Sequence, residues 1–153
     1  MKLLLRMFLF LIINFGALGI GSWLMNNGPQ TDWYINLNQA PWTPPGWVFG
    51  AAWTTIMVCF SIYMAYLYSN TPSFKVKILF GIQFFLNVIW NYIFFNQHMV
   101  GLGLLVIVCL TVIVALFLFL FRKQMGYTSV LILPYFVWLC IATSLNGYIF
   151  FSN

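Results

Sequence analysis

Five stretches without a charged residue dominate the chain: Met7–Met25, Trp47–Tyr68, Ile78–Asn96, Met99–Phe121 and Thr128–Phe151. Each is near the ~20 residues that a helix needs to cross the hydrocarbon core of a bilayer. None alternates apolar and polar positions as a strand of a membrane barrel does. Lipid offers the backbone no outside hydrogen-bond partner, so the pattern predicts a bundle of five membrane helices. Few residues separate the third run from the fourth, or the fourth from the fifth, which makes those helices antiparallel neighbours.

Polar side chains inside the runs are sparse and ordered. Gln83, Asn87 and Asn91 recur four residues apart on the third run, one face of a helix, with Trp90 beside them. Tyr135, Trp138, Ala142 and Asn146 share a face of the fifth run, and Trp47, Gly50, Trp53 and Met57 a face of the second. At 1.5 Å per residue, Trp53, Asn91 and Asn146 lie roughly 8–9 Å inside one membrane face, and Asn87 and Trp138 roughly 14–20 Å. Two readings stay open from the residues alone. The stripes line a cavity, or their amides are glue between helices. Trp23, Trp47 and Tyr148 fit the interfacial belt on one face, and Tyr66, Tyr68 and Tyr127 that on the other. Ala17-x-x-x-Gly21 and Gly46-x-x-x-Gly50 are spacings that permit close helix approach.

The connection between the first two runs, Asn26–Gly46, is the only long one. The stretch Asp32–Trp53 holds the only acidic residue, four of the seven tryptophans, and Pro41, Pro44 and Pro45. A free linker has no use for Trp33, Tyr34 and Trp42, so the segment is expected to be a structured lid over a site between the helices. Thr31 or Asp32 is placed to cap a short helix through Tyr34 and Leu37.

Charge sets the topology. Lys2 and Arg6, Lys75 and Lys77, and Arg122 and Lys123 all fall on one side of an alternating bundle. The positive-inside rule then predicts a cytoplasmic N-terminus and an exterior C-terminus. With 5% charged residues and six dispersed cations, an ordinary soluble globule and a nucleic-acid partner are excluded. Lys2 and Arg6 also resemble the start of a secretory signal, with Gly19-Ile20-Gly21 a passable cleavage site, but the run continues to Met25 and is read as an uncleaved helix. Cys59, Cys109 and Cys140 sit alone in apolar runs and His98 is the sole histidine, so no metal site is expected. For His98 a solvated loop position is preferred to an axial haem ligand.

Three blocks carry a resemblance. They are Trp33-Tyr34-x-x-Leu37 with Pro41-Trp42-x-Pro44-Pro45 and Phe49-Gly50-x-x-Trp53; Leu86-Asn87-x-x-Trp90-Asn91 with Phe94-Phe95; and Pro134-Tyr135-x-x-Trp138-x-x-x-Ala142-Thr143-x-Leu145-Asn146. Together they resemble the translocator protein/TspO family in its bacterial form, also called tryptophan-rich sensory proteins or peripheral-type benzodiazepine receptors. The resemblance covers essentially the whole chain, and it implies one membrane domain over residues 1–153, with a pocket beneath the first loop. It implies binding of porphyrins, notably protoporphyrin IX, or haem as ligand, with no cofactor required, and a homodimer in the membrane of a bacterial cell. Family members also bind isoquinoline-carboxamide drugs, and some bacterial members promote light-dependent oxidative breakdown of protoporphyrin IX.

The pocket residues of the family carry over onto Tyr34, Trp53, Asn87, Trp90, Trp138, Ala142 and Asn146. Trp42, Asn91 and Tyr135 complete the candidate ligand-binding set. The expected role is sensory, regulatory or scavenging. The alternatives are photo-oxidative porphyrin degradation, with Trp53 and Trp138 as the redox-active side chains, and transport of porphyrins or other apolar ligands. For transport, neither an inverted repeat nor a broken helix pair is visible. Two departures stand out. Tyr148 is followed by no basic residue, so the sterol motif of animal members is absent. Gln39-Ala40 also stands where the family often has a lysine, removing a cation for a propionate.

Overall fold

The computed structural model describes Met1–Asn153, and every long element is helical. Helix α1 spans Lys2–Leu24, α2 Gly46–Asn70, α3 Phe74–Asn91, α4 Val100–Leu120 and α5 Leu133–Ser152. Five helical stretches are long and apolar enough to cross a membrane, and the chain is an integral membrane protein. α1 begins five residues before its apolar run, because Lys2 and Arg6 extend the helix into the interface with their charged ends outside the hydrocarbon.

The helices close into a ring. α1 packs on α2 and α3, α4 on α3 and α5, and α2 reaches α5 and the segment just before it. That segment, Gly126–Ile132, is a 3-10 helix where the sequence pattern predicts the start of an α-helix. The α-helix begins only at Leu133, with Pro134 in its first turn, where a missing N–H costs nothing. The connection from α2 to α3 is set by Pro72, which stops α2, and by Ser73, whose hydroxyl accepts from the Val76 N–H at 3.3 Å.

Half of the bundle is solid. In the half nearer the six cations, Phe60 meets Tyr135 edge-on at 5.2 Å and Phe117 at 5.9 Å. The Tyr63 hydroxyl donates to the Phe117 carbonyl at 2.9 Å. Asn14 donates to Ser61 at 2.8 Å, joining α1 to α2, and Gln83 donates to the Tyr135 hydroxyl at 2.7 Å, joining α3 to α5. Both amides are glue, which for Gln83 is one of the two roles left open in sequence.

Toward the opposite face, α3 widens into a π-helical turn, Tyr92–Asn96, closed by Gln97 N–H on the Tyr92 carbonyl at 2.9 Å. Such turns cluster at functional sites. Here the consecutive Phe94 and Phe95 are both buried, edge-on at 4.9 Å. Asn96 then donates to the Leu24 carbonyl at 3.2 Å, satisfying the end of α1.

Candidate functional site

The lid is built from local turns. Asn27 adopts a left-handed conformation, Gly28–Gln30 forms a 3-10 turn, and Asp32–Ile35 a single α-helical turn. Thr31, rather than Asp32, caps that turn: its hydroxyl accepts from the Tyr34 N–H at 3.4 Å and donates to the Gly28 carbonyl at 2.7 Å. Gly28 is buried, and a β-carbon there would collide with the Phe95 ring, so only glycine lets the lid seat this closely.

Four lid residues, Trp33, Tyr34, Asn38 and Trp42, fasten it to the bundle. Trp33 stacks on His98 with ring centres 4.0 Å apart and planes 10° from parallel, and meets Phe94 edge-on at 5.8 Å. His98 is thus an exposed turn residue, as expected, with a packing role that was not. Tyr34 lies edge-on to Phe95 at 5.2 Å. Asn38 and Asn153 clasp one another, N–H to Oδ1 at 2.9 Å and Nδ2 to carbonyl at 3.2 Å. Trp42 donates to Ser144 at 3.2 Å and meets Tyr148 edge-on at 5.5 Å.

Beneath the lid, between all five helices, lies a cavity of about 650 Å³. That volume is within the ~300–1,000 Å³ range of small-molecule sites. α2 contributes Phe49, Gly50 and Trp53; α3 contributes Asn87, Trp90 and Asn91; α5 contributes Trp138, Ala142 and Asn146. The lid contributes Tyr34 and Gln39. Eight of the ten sequence-predicted residues therefore share one cavity: Tyr34, Trp53, Asn87, Trp90, Asn91, Trp138, Ala142 and Asn146.

Trp42 and Tyr135 do not line it. The turn closed by Thr43 on the Ala40 carbonyl leaves Trp42 on the outer side of α5, where it pins the lid. Tyr135 is one turn deeper than Trp138, fully buried, and spends its hydroxyl on Gln83. Its ring still supports the wall, edge-on to Trp53 at 6.0 Å. The two small-residue spacings also part ways. Ala17 and Gly21 are buried, with Gly21 against Asn91, whereas nothing packs on Gly46 or Gly50, which face the cavity.

The walls are aromatic, with few polar atoms. Phe49 holds Trp138 edge-on at 5.3 Å, and Phe94 stacks on Trp90 at 5.4 Å. Asn146 donates to the Ala142 carbonyl at 2.9 Å and Asn91 to that of Asn87 at 3.0 Å. In two wall residues one polar atom is buried without a partner and shows no surface to the cavity: the Trp90 Nε1 donor and the Asn146 Oδ1 acceptor. Burial pushes the Tyr34 phenol above its usual range, so it stays a neutral donor at physiological pH. No Lys, Arg, His, Asp or Glu lines the cavity, and no cluster of metal-ligating side chains exists anywhere in the chain. A bound molecule meets flat aromatic faces and neutral hydrogen-bonding groups.

Sequence reasoning missed the α1 wall, Ala17, Leu18, Ser22 and Met25, and the single α4 contribution, Ile107. On α1 a signal was present and went unread: Asn14 and Ser22 lie eight residues apart with Leu18 between them, the spacing that marks a face on the third run. Ile107 has no such mark, because the α4 residues immediately around it are apolar.

Comparison with known proteins agrees with this architecture. The model of the TspO/MBR family matches residues 9–151. The chain is similar to the tryptophan-rich protein TspO of Bacillus cereus, 35% identical over 79% of this chain and 80% of the relative. It is similar to the protein of the same name in Archaeoglobus fulgidus, 32% identical over 87% of both chains. The tryptophan-rich sensory protein of Cereibacter sphaeroides is 30% identical over 75% of this chain and 73% of its own.

Proposed function

The chain belongs to the TspO/MBR family, and from that premise we propose that it is a membrane receptor for porphyrins, protoporphyrin IX foremost and haem as a variant, used to sense or scavenge them. The observation behind this reading is the lidded cavity of about 650 Å³ faced by Trp53, Trp90 and Trp138. A flat conjugated macrocycle is the class of ligand that three indole faces and a few neutral amides hold best. Its propionates find no cation in the wall, so they belong at the mouth, near Gln30 and Gln39, where water reaches them. Titrating the protein in lipid nanodiscs with protoporphyrin IX, followed by quenching of tryptophan emission, tests the reading. Saturable quenching supports it; linear partition matching protein-free discs refutes it.

A second reading is favoured by the two oxidisable indoles of Trp53 and Trp138 in that wall. An excited porphyrin that takes an electron from a nearby indole is reduced and passes that electron to dioxygen, leaving superoxide and an indole radical cation; one that passes its energy to dioxygen gives singlet oxygen. In either case dioxygen is the oxidant, and the oxygen species formed beside the macrocycle attacks it. Phenylalanine keeps most of the aromatic area and is far harder to oxidise. The Trp53→Phe and Trp138→Phe variants should bind within the ~1 kcal/mol scale of an aromatic contact and lose light-dependent porphyrin breakdown several-fold. Loss at the parent rate makes the indoles walls only. Transport has no comparable support: the lining stops near Asn87 and Trp138, and the Gln83–Tyr135 hydrogen bond and the packed half lie beyond.

The reading also places the protein in a bacterial cell membrane as a homodimer, with the N-terminus cytoplasmic. Mass measurement in nanodiscs decides the dimer, and a strict monomer overturns it.

A further inference from the structure

The face of the bundle opposite the lid carries a feature that the cavity does not use. Here the ends of α1, α2 and α3 meet, and Arg6, half-buried on α1, donates from Nη1 to the Ser69 hydroxyl at 2.7 Å. Ser69 in turn donates to the Ala65 carbonyl at 2.6 Å, so the acceptor is itself fixed. The Arg6 guanidinium carbon lies 5.5 Å from the centre of the Tyr68 ring, and the Lys77 ammonium of α3 lies 5.8 Å from the same centre. Two cations from two helices are thus gathered on one aromatic ring of a third.

Nothing in the chain neutralises them. The sole acidic residue is Asp32, in the lid at the other face. A guanidinium has five N–H donors in a planar fork suited to phosphate oxygens, and Ser69 takes only one direction of that fork. Lys77 is exposed and supplies a second point charge. Gathering like charges without a counter-ion is unfavourable unless an anion completes the arrangement, and at a membrane interface the abundant anion is a lipid phosphate.

We propose that Arg6, Tyr68 and Lys77 form a headgroup cradle that holds the phosphate of an anionic phospholipid at the junction of α1, α2 and α3. The lipid's acyl chains lie along the apolar outer surfaces of α1 and α3, where Leu4, Phe8, Phe74 and Ile78 are exposed. The cradle stands apart from the porphyrin reading and survives its failure.

The test is native mass spectrometry of the protein released from discs of equal palmitoyl-oleoyl phosphatidylglycerol and phosphatidylcholine, counting retained lipid. The parent retains phosphatidylglycerol several-fold over phosphatidylcholine. The double variant Arg6→Gln/Lys77→Gln loses that preference, while Arg122→Gln/Lys123→Gln, an equal loss of charge on the same face away from Tyr68, keeps it. Equal loss in both doubles means diffuse surface charge and overturns the cradle, as does absence of any preference in the parent. Displacement of the lipid by millimolar inorganic phosphate overturns a lipid site in favour of a free-anion site. Should the Arg6 variant fail to fold, as melting in pure phosphatidylcholine discs would reveal, the exposed Lys77→Gln alone is read, with a partial loss expected and no change overturning the proposal.

Discussion

Trp90 Nε1 and Asn146 Oδ1 are buried polar atoms that the protein leaves unpaired, an arrangement stable proteins keep for a reason. Neither atom shows surface to the cavity, so a ligand completes them only by shifting the ring or the amide; where it does, Trp90→Phe and Asn146→Leu each remove one ligand hydrogen bond, about 0.5–1.5 kcal/mol, or roughly two- to tenfold in affinity. Melting temperature without ligand should stay level or rise for Trp90→Phe, because an orphaned group is gone; Asn146→Leu also loses the bond to the Ala142 carbonyl, which offsets that gain. Equal affinity in both variants makes the atoms bystanders. Gly28→Ala works through packing: its methyl meets Phe95, an overpacking cost of about 1–3 kcal/mol. The expected result is a faster-exchanging lid by hydrogen exchange at Thr31–Asn36, with the helices unaffected. At this scale the sequence was legible where a polar or aromatic residue interrupted an apolar face, as Asn87 and Trp138 do. It went unread at Ser22, which shares a face with Asn14, was illegible at Ile107, whose immediate neighbours on α4 are apolar, and was misleading at Trp42, whose direction depends on the Ala40–Thr43 turn.

Among elements, the lid decides access. Its anchors lie on three separate pieces of the bundle: His98 and Phe94 at the end of α3, Ser144 and Tyr148 along α5, and Asn153 after it. Removal of Thr31–Asn38 takes out Trp33, Tyr34 and the Asn38 clasp together. Porphyrin affinity should fall at least tenfold while helix content by circular dichroism is retained, and unchanged affinity would reduce the lid to a connector. The lid's existence was legible because tryptophans and prolines crowd a stretch that a linker would fill with small polar residues. Its anchors were not, since the clasp to Asn153 joins positions far apart in sequence. The π-helical turn was equally hidden: Tyr92–Asn96 reads as ordinary helix, and only tertiary packing of Phe94 and Phe95 selects the wider turn.

For the whole molecule, two ends with different tasks follow from where polarity is spent. One half is a solid aromatic core ending in six cations; the other is a lidded cavity with no charge in its walls. The charge asymmetry predicts that a cysteine added before Met1 stays unlabelled by a membrane-impermeant reagent in intact cells, and labelling there would reverse the orientation. Membership of the bundle class was legible from run length alone, and the ring order of the helices was not, because short connections specify only sequential neighbours. The central claim, that this cavity is where a porphyrin binds, turns on the space itself. Ala142 lies on the wall and is nearly buried, so Ala142→Phe fills the space with a ring while leaving the lid contacts in place. The decisive measurement is the dissociation constant of protoporphyrin IX for Ala142→Phe and parent in the same nanodiscs. A rise of at least tenfold, with parent-like helix content, is the predicted result; equal constants would place the porphyrin elsewhere and contradict the account.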